Sequence, residues 1–198
     1  LYMYEHFELI SELNREFNKR VGVYPEVKSP AFHLNEGVDA SKIVIDALMS
    51  YNFGGEHGNS FLQCFDFEET KRLRNDLGAK VKLVQLIGEN AWQESATDYD
   101  HLKSAAGLQE IAQVAQGIGP WFGQLVDSQT MHSTGLVARA QQLGLVVHPY
   151  TFRADQLPQG LDAEATLQLL FERLGVDGLF TDHTDVVIDY LAPKASPF

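Results

Sequence analysis

The chain has 198 residues, 44% of them hydrophobic and 11% aromatic, which is ample for one folded domain with a sizeable core. Its 15 basic and 27 acidic side chains give a net charge of −12, which argues against nucleic acid as a partner. Its one cysteine, Cys64, cannot form an internal disulfide, and no apolar run reaches the roughly 20 residues that span a bilayer. A small anionic substrate is compatible with this charge, because a local cation can reverse the field within one cleft.

Apolar runs typical of strands alternate along the chain with amphipathic runs typical of helices. The first half predicts a strand over 21–27 (VGVYPEV), a helix over 42–51 with Ile43, Ala47 and Leu48 on one face, and a strand over 60–65 (SFLQCF). Asp66 is then predicted to cap a helix, with Glu69 completing a capping box and Gly78 ending the helix. A strand over 82–87 (KLVQLI) follows, and then a polar loop over 88–103 that we expect on the face that carries function.

The second half continues this alternation. It predicts a helix over 108–115, a strand over 117–120 (GIGP), a helix over 136–143 ended by Gly144, a strand over 145–151 (LVVHPYT), a helix over 163–174 ended by Gly175, a strand over 178–182 (GLFTD) and a helix over 186–191. Strands that are apolar on both faces and alternate with helices indicate a parallel sheet covered by helices. The steady repeat over 1–198 favours a single α/β domain, a (β/α)8 TIM-type barrel with about six of its eight units, and an open α/β sheet is the alternative.

The pattern most suggestive of chemistry is YPEVK at 24–28. Glu26 and Lys28 lie two residues apart at the end of a predicted strand, so both side chains leave the same face. Opposite charges are costly to bury there unless a site needs them, and the carboxyl ends of barrel strands carry the chemistry. The carboxylate can hold a divalent cation and the ammonium a phosphate oxygen, although a plain ion pair at a strand end would have the same sequence.

Six segments in order resemble the glycerophosphodiester phosphodiesterase family, specifically its larger and typically periplasmic bacterial branch. They are VGVYPEVKSPAFH at 21–33, LQCFD at 62–66, LVQLI at 83–87, GIGP at 117–120, VVHPYTFR at 146–153 and GLFTD at 178–182. The resemblance implies metal-dependent hydrolysis of glycerophosphodiesters to glycerol 3-phosphate and an alcohol. It also implies a divalent metal, most commonly Ca²⁺, and a periplasmic or secreted location.

The resemblance assigns roles to several positions. Glu26 matches the metal-binding glutamate of the family's third strand, and Lys28 matches the lysine that contacts the phosphate. His33 matches a histidine in the loop after that strand, which either contacts substrate or only orders the loop. Tyr150 matches an aromatic residue that many relatives pack against substrate, and Arg153 either binds phosphate or lies in solvent.

Three further side chains are candidates for lining the pocket. Gln63 and Phe65 share one face of their strand and either line the pocket or fill the barrel interior. Asp182, at the end of GLFTD, either orients the pocket or caps the last helix.

The sequence departs from the family in its first two strands. The His-Arg-Gly motif, the Glu-x-Asp metal pair and the second histidine of those strands do not occur in the 198 residues. Without them the acid–base step lacks its histidines, and one carboxylate is too few ligands for a cation. We therefore expect these residues to be strands three to eight of a longer phosphodiesterase and to be inactive alone. The alternatives are a related barrel that acts on lysophospholipids and a non-catalytic binding domain.

Overall fold

The structure of the chain is a computed structural model that describes residues 2–127, 130–158 and 160–192. The α-helices are α1 (Met3–Glu16), α2 (Pro30–Asn35), α3 (Ala40–Ser50), α4 (Phe67–Asn75), α5 (Tyr99–Leu102), α6 (Ala105–Val114), α7 (Leu136–Gln142), α8 (Ala163–Gln168) and α9 (Thr184–Leu191). The strands are β1 (Phe61–Cys64), β2 (Lys82–Ile87), β3 (Gly117–Pro120) and β4 (Val146–Val147). A π-helical stretch, Leu169–Leu174, continues α8. Along these residues no helix is both long enough and apolar enough to cross a bilayer.

The chain divides into two compact units, Leu1–Gly117 and Ile118–Phe198, and the division falls at the start of β3. In each unit, extended segments paired in parallel alternate with helices. This alternation confirms the predicted α/β class and the partial (β/α)8 TIM-type barrel.

The first unit is built on the parallel pair of β1 and β2, in which Gln63 lies opposite Val84. The 21–27 segment joins the other edge of β1, since Glu26 forms a parallel bridge with Gln63. Most residues of both strands are buried, as expected where a parallel sheet has both faces covered. The strand order places the end of the 21–27 segment beside the end of β1.

An aromatic cluster ties α1 to the first unit. Phe7 is the buried residue of this helix, and its ring meets the rings of Tyr51 and Phe53 edge-on at centroid distances of 6.0 and 5.6 Å. Edge-to-face pairs at such distances add to the free energy gained by burying the rings. The helix that precedes the 21–27 segment is therefore held to the end of α3 and the chain that follows it.

The buried face of α3 differs from the predicted one. Ala47 and Leu48 are buried, but Ile43 is 43% exposed, so its predicted place on the buried face is wrong. Ser41 is the buried residue at the start of the helix. The buried or half-buried stripe runs through 41, 44, 45 and 48 at helical spacing, which leaves Ile43 outside it.

The start of α4 follows the prediction in part. The Asp66 carboxylate accepts the backbone N–H groups of Glu68 and Glu69 at 3.0 and 3.3 Å, which confirms the cap. The reciprocal half of the predicted capping box is not formed, because the Glu69 carboxylate accepts from Arg72 at 2.6 Å. Gly78 adopts φ +64°, in the left-handed region that favours glycine after a helix.

Proline breaks two of the predicted strands into single bridges. Pro25 and Pro149 have no N–H to donate, although their carbonyls still accept from Gln63 N at 3.1 Å and Phe180 N at 2.9 Å. The prediction of regular strands is therefore wrong for most of 21–27 and for 145–151 outside β4. It is also wrong for 178–182, which contains no proline and pairs through the bridge of Thr181 with Phe152.

The second unit packs α8 and α9 against the chain that follows β4. Phe152 forms a parallel bridge with Thr181 and is buried together with Leu167 of α8 and Val187 of α9. The helix predicted over 163–174 is present, with its second half in π-helical form, and Gly175 follows it with φ +70°.

Candidate functional site

Glu26 and Lys28 form a charged pair at the end of the 21–27 segment. Lys28 Nζ lies 3.9 Å from Glu26 Oε2, and the exposed fractions of the two side chains are 78% and 22%. Burial raises the pKa of Glu26, the Lys28 ammonium opposes this shift and the Glu94 carboxylate adds to it. A carboxylate desolvated in this way gains free energy from any cation that reaches it.

These side chains border a small cavity, the strand-end cavity, at the carboxyl ends of the extended segments of the first unit. It has a volume of about 130 Å³ and is lined by Glu26, Val27, Lys28, Ser29, Pro30, Phe65, Asp66 and Glu94. Ser29 caps α2 with φ 45° and ψ 51°, a left-handed conformation that costs about 1–3 kcal/mol for a residue other than glycine. Such strain is found more often at functional sites than elsewhere.

The face that carries Glu26 also carries Gln63, since the two positions are bridged in parallel. Gln63 is buried, and its Oε1 has no hydrogen-bond partner among the described residues. Tyr24 and Phe61, two residues before Glu26 and Gln63, lie on the same face, and their rings stack with centroids 4.9 Å apart. An unpaired buried oxygen beside a desolvated carboxylate is an arrangement that a bound ligand would satisfy.

The loop after β2 is anchored beside the cavity by Tyr99. The Tyr99 hydroxyl donates to Phe65 O at 3.3 Å, and the two rings meet edge-on at 6.3 Å. Asn90 accepts from Tyr99 N at 2.8 Å and donates to Asp98 at 3.0 Å. The segment predicted as a polar loop therefore holds Phe65, which lines the strand-end cavity, and carries Glu94 to the same cavity.

His33 was predicted to lie in a loop, but it lies in the short helix α2, because Pro30 starts a helical turn directly after the strand segment. Its ring meets that of Phe32 edge-on at 5.4 Å. It does not line the strand-end cavity. Gln63 also stays behind the lining and reaches the site only through its bridge to Glu26.

Of the three candidates in the second unit, Arg153 and Asp182 lie together, and Tyr150 lies beside Trp121. Tyr150 pairs with Trp121 in a parallel bridge and accepts from Phe122 N at 2.8 Å through its carbonyl. Arg153 Nε donates to Asp182 Oδ2 at 2.5 Å, so the arginine and the carboxylate form an ion pair. His183 is the residue at the cap position of α9, which leaves Asp182 to pair with Arg153. The roles that the sequence assigns to Tyr150, Arg153 and Asp182 at substrate or pocket stay predictions.

Cys64 lies on the opposite face of β1 from Gln63. It is buried, its Sγ lies 3.3 Å from Val27 O, and burial raises the pKa of its thiol to about 12. A thiol in this state is not a nucleophile at neutral pH, so Cys64 is a core residue.

Sequence reasoning missed two carboxylates of the strand-end cavity. Asp66 was identified only as a helix cap, and Glu94 only as part of a polar loop, yet both line the cavity with Glu26. The position of Asp66 directly after a strand was the available signal. Within the described part of the chain, no group of three or more His, Cys, Asp or Glu side chains is arranged to hold a metal ion.

A family model described as the glycerophosphoryl diester phosphodiesterase family matches residues 3–186. The glycerophosphodiester phosphodiesterase of Haemophilus influenzae is 32% identical over 207 residues, which cover 94% of this chain and 57% of that protein. The glycerophosphodiester phosphodiesterase of Treponema pallidum is 26% identical over 211 residues, which cover 96% of this chain and 59% of that protein. The chain therefore spans a little more than half the length of these relatives.

Solved structures show the same fold. A crystal structure from Silicibacter pomeroyi, provisionally named a glycerophosphoryl diester phosphodiesterase, superposes with a TM-score of 0.64 at 19% identity and covers 93% of this chain and 55% of that one. A structure from Agrobacterium tumefaciens with the same provisional name gives a TM-score of 0.56 at 18% identity, covering 91% and 62%.

Proposed function

This chain belongs to the glycerophosphoryl diester phosphodiesterase family, and we propose that it is part of an enzyme that hydrolyses glycerophosphodiesters to glycerol 3-phosphate and an alcohol. The observation that carries the proposal is the pair of Glu26 and Lys28 at the strand-end cavity, one half-buried anion and one exposed cation 3.9 Å apart. A phosphodiester is an anion whose negative charge increases as it is attacked, so a site for it needs positive charge. Lys28 supplies that charge.

In this proposal Lys28 binds a non-bridging phosphate oxygen. Its side chain is 78% exposed, so the ammonium is free to leave Glu26 for a substrate anion in the cavity mouth. Asp66 and Glu94, the other carboxylates of the lining, disfavour a second anion there and restrict the phosphate to the side of Lys28.

A divalent cation, most simply Ca²⁺, would occupy the side of the site that holds Glu26. The donor chemistry fits, because a desolvated carboxylate is a hard oxygen ligand. When bound, the cation would supply charge stabilisation for the phosphoryl oxygens. Glu26 would hold it, and further ligands would be water or substrate oxygens. One carboxylate is too few for a tight site, and the 198 residues alone are expected to show little activity.

Calcium titration tests the assignment of Glu26. In the protein at its natural length, Glu26→Gln replaces a charged ligand by a neutral amide, so we expect calcium affinity to fall at least about tenfold in calorimetry. Lys28→Ala should leave calcium affinity unchanged within about twofold, since its proposed partner is the phosphate. Glu36→Gln, an exposed carboxylate on the same stretch of chain, is the matched control. Equal calcium affinity in Glu26→Gln and wild type would remove Glu26 from the metal site.

The resemblance further supports a periplasmic or secreted location, which we propose for the protein.

The released alcohol is not specified by the residues of the strand-end cavity. The preference for one alcohol group over another would depend on the loop that carries Glu94, because this loop contributes a charged side chain to the cavity mouth.

A further inference from the structure

A second cavity of the first unit lies at the opposite end of its strands. This basic cavity has a volume of about 460 Å³, and its lining includes Arg74, Lys80, Lys82, His57, Glu56 and Gln116. Lys82 is the first residue of β2, and Gln116 directly precedes β3. The cavity therefore opens at the amino ends of the strands, away from Glu26 and Lys28.

Arg74 is fixed in place by hydrogen bonds to neutral acceptors only. Its Nε donates to Val114 O at 2.9 Å, and Nη2 donates to Val81 O at 3.2 Å and Gln116 Oε1 at 2.6 Å. Nη1 donates to Ala79 O, which leaves one of its two N–H groups for another acceptor. The guanidinium is thus held rigidly, and it forms no ion pair with a carboxylate of the described residues, although the charge of Glu56 acts on it.

The two lysines of the basic cavity also lack an acidic partner. Neither Lys80 nor Lys82 forms a salt bridge within the ranges that the structure describes, and Lys82 Nζ lies 5.2 Å from the centroid of the Phe61 ring. Among the described residues, Glu56 is the one carboxylate that lines the cavity, and it forms no ion pair with them. Burial lowers the pKa of Arg74, and the charge of Glu56 only partly opposes that shift.

This arrangement is unusual for an acidic chain. The net charge is −12, yet three cationic side chains and a histidine border one cavity against a single carboxylate. Other lysines of the first unit do have acidic partners, since Lys42 pairs with Asp46 and Lys71 with Glu68 at 2.7 and 2.6 Å. Repulsion among unpaired cations costs free energy that a bound anion would recover.

We propose that the basic cavity binds a small anion that carries a dianionic phosphate group, either free inorganic phosphate or a phosphomonoester. One rigid guanidinium with a free N–H and two flexible ammonium groups suit a group with several acceptor oxygens and two charges. A single carboxylate would neutralise only one of the three cations. The site is separate from the strand-end cavity and does not depend on the proposed hydrolysis.

Binding is measured with inorganic phosphate and, separately, with glycerol 3-phosphate, by calorimetry at ionic strength held constant with sodium chloride. Amide NMR signals report the location, and we expect saturable shifts at Gly78, Lys80 and Gln116. Lys80→Gln combined with Lys82→Gln should weaken binding at least about tenfold. Lys19→Gln with Lys42→Gln changes the net charge equally at exposed positions and should leave affinity within about twofold.

Lys28→Ala separates this site from the strand-end cavity and should leave both affinity and shifts unchanged. The two ligands distinguish the source of the phosphate, because tighter binding of glycerol 3-phosphate indicates a phosphomonoester and tighter binding of phosphate indicates the free ion. The proposal is overturned by absence of saturable shifts at Gly78 and Lys80 in the wild-type protein. It is also overturned if Lys28→Ala abolishes binding while the Lys80 and Lys82 double variant retains it.

Discussion

The polar side chains at the two ends of the parallel strands in the first unit differ in how fully they are hydrogen-bonded. At the amino ends, Arg74 satisfies three backbone carbonyls and a glutamine, and so joins α4 to the turns before β2 and β3. At the carboxyl ends, Glu26 is desolvated and the Gln63 Oε1 atom has no partner among the described residues. The hydrogen bonds of Arg74 contribute to folding at the amino ends, where its charge and the neighbouring lysines also form the proposed anion site. At the carboxyl ends, Glu26 and Gln63 contribute no comparable set of hydrogen bonds among the described residues, and their polar atoms are ones that a ligand would satisfy.

The largest effect is expected at the amino ends. Arg74→Leu removes four hydrogen bonds and leaves buried carbonyls unpaired, so the free energy of unfolding should fall by about 3 kcal/mol or more. Urea denaturation at pH 7 measures it. Arg15→Leu, at an exposed position in the last turn of α1, should change the value by less than about 0.5 kcal/mol. Similar values for the two variants would show that Arg74 does not stabilise this end.

Two buried glutamines on neighbouring strands provide a matched pair. Gln85 Nε2 donates to Phe65 O and Leu86 O, both at 2.9 Å, so Gln85→Leu should lower the free energy of unfolding by about 1–2 kcal/mol. Within the described residues, Gln63 makes no such side-chain hydrogen bond, and its Oε1, like that of Gln85, has no partner there. Gln63→Leu should therefore leave stability unchanged or raise it by up to about 1 kcal/mol. Denaturation of both variants under one set of conditions decides this. Equal losses would mean that Gln63 is a structural residue and not part of the site.

The smallest of these effects concerns the charge of Glu26. Burial raises the pKa of Glu26 above its ordinary value of 4.5. Between pH 4.5 and this raised pKa, the folded state therefore binds more protons than the unfolded state. Stability therefore falls as the pH rises through this window, and the Glu26→Gln variant escapes that loss. With EDTA present, the stability of the variant relative to wild type should increase as the pH rises from 4 to 7. If the variant instead gained stability relative to wild type as the pH fell, a raised pKa of Glu26 would be contradicted.

Local sequence signals were sufficient for β2, β3 and the start of α4, but not for the short helices α2 and α5. β2 and β3 have the predicted bounds, and Asp66 caps α4, because alternation, capping and terminating glycines act within a few residues. The errors came from longer-range causes. Pro25 and Pro149 interrupt ladders whose partners are far along the chain, and the exposure of Ile43 depends on what packs against α3.

The candidate site was predictable only where one strand end carried two charges. The spacing of Glu26 and Lys28 placed them together, and the structure has them 3.9 Å apart. Glu94 comes from a loop whose path depends on the anchoring of Tyr99, so no pattern in the sequence could bring it to the cavity. The pairing of Arg153 with Asp182 likewise joins residues that are 29 positions apart.

Release of glycerol 3-phosphate from glycerophosphocholine, with calcium present, tests the central claim most directly. The protein at its natural length should release it, and Glu26→Gln should lower kcat/KM at least about 100-fold, because the variant loses a charged ligand of the proposed cation. Glu36→Gln should retain wild-type activity. Release at wild-type rates by Glu26→Gln would contradict the account and would place the catalytic centre away from the strand-end cavity.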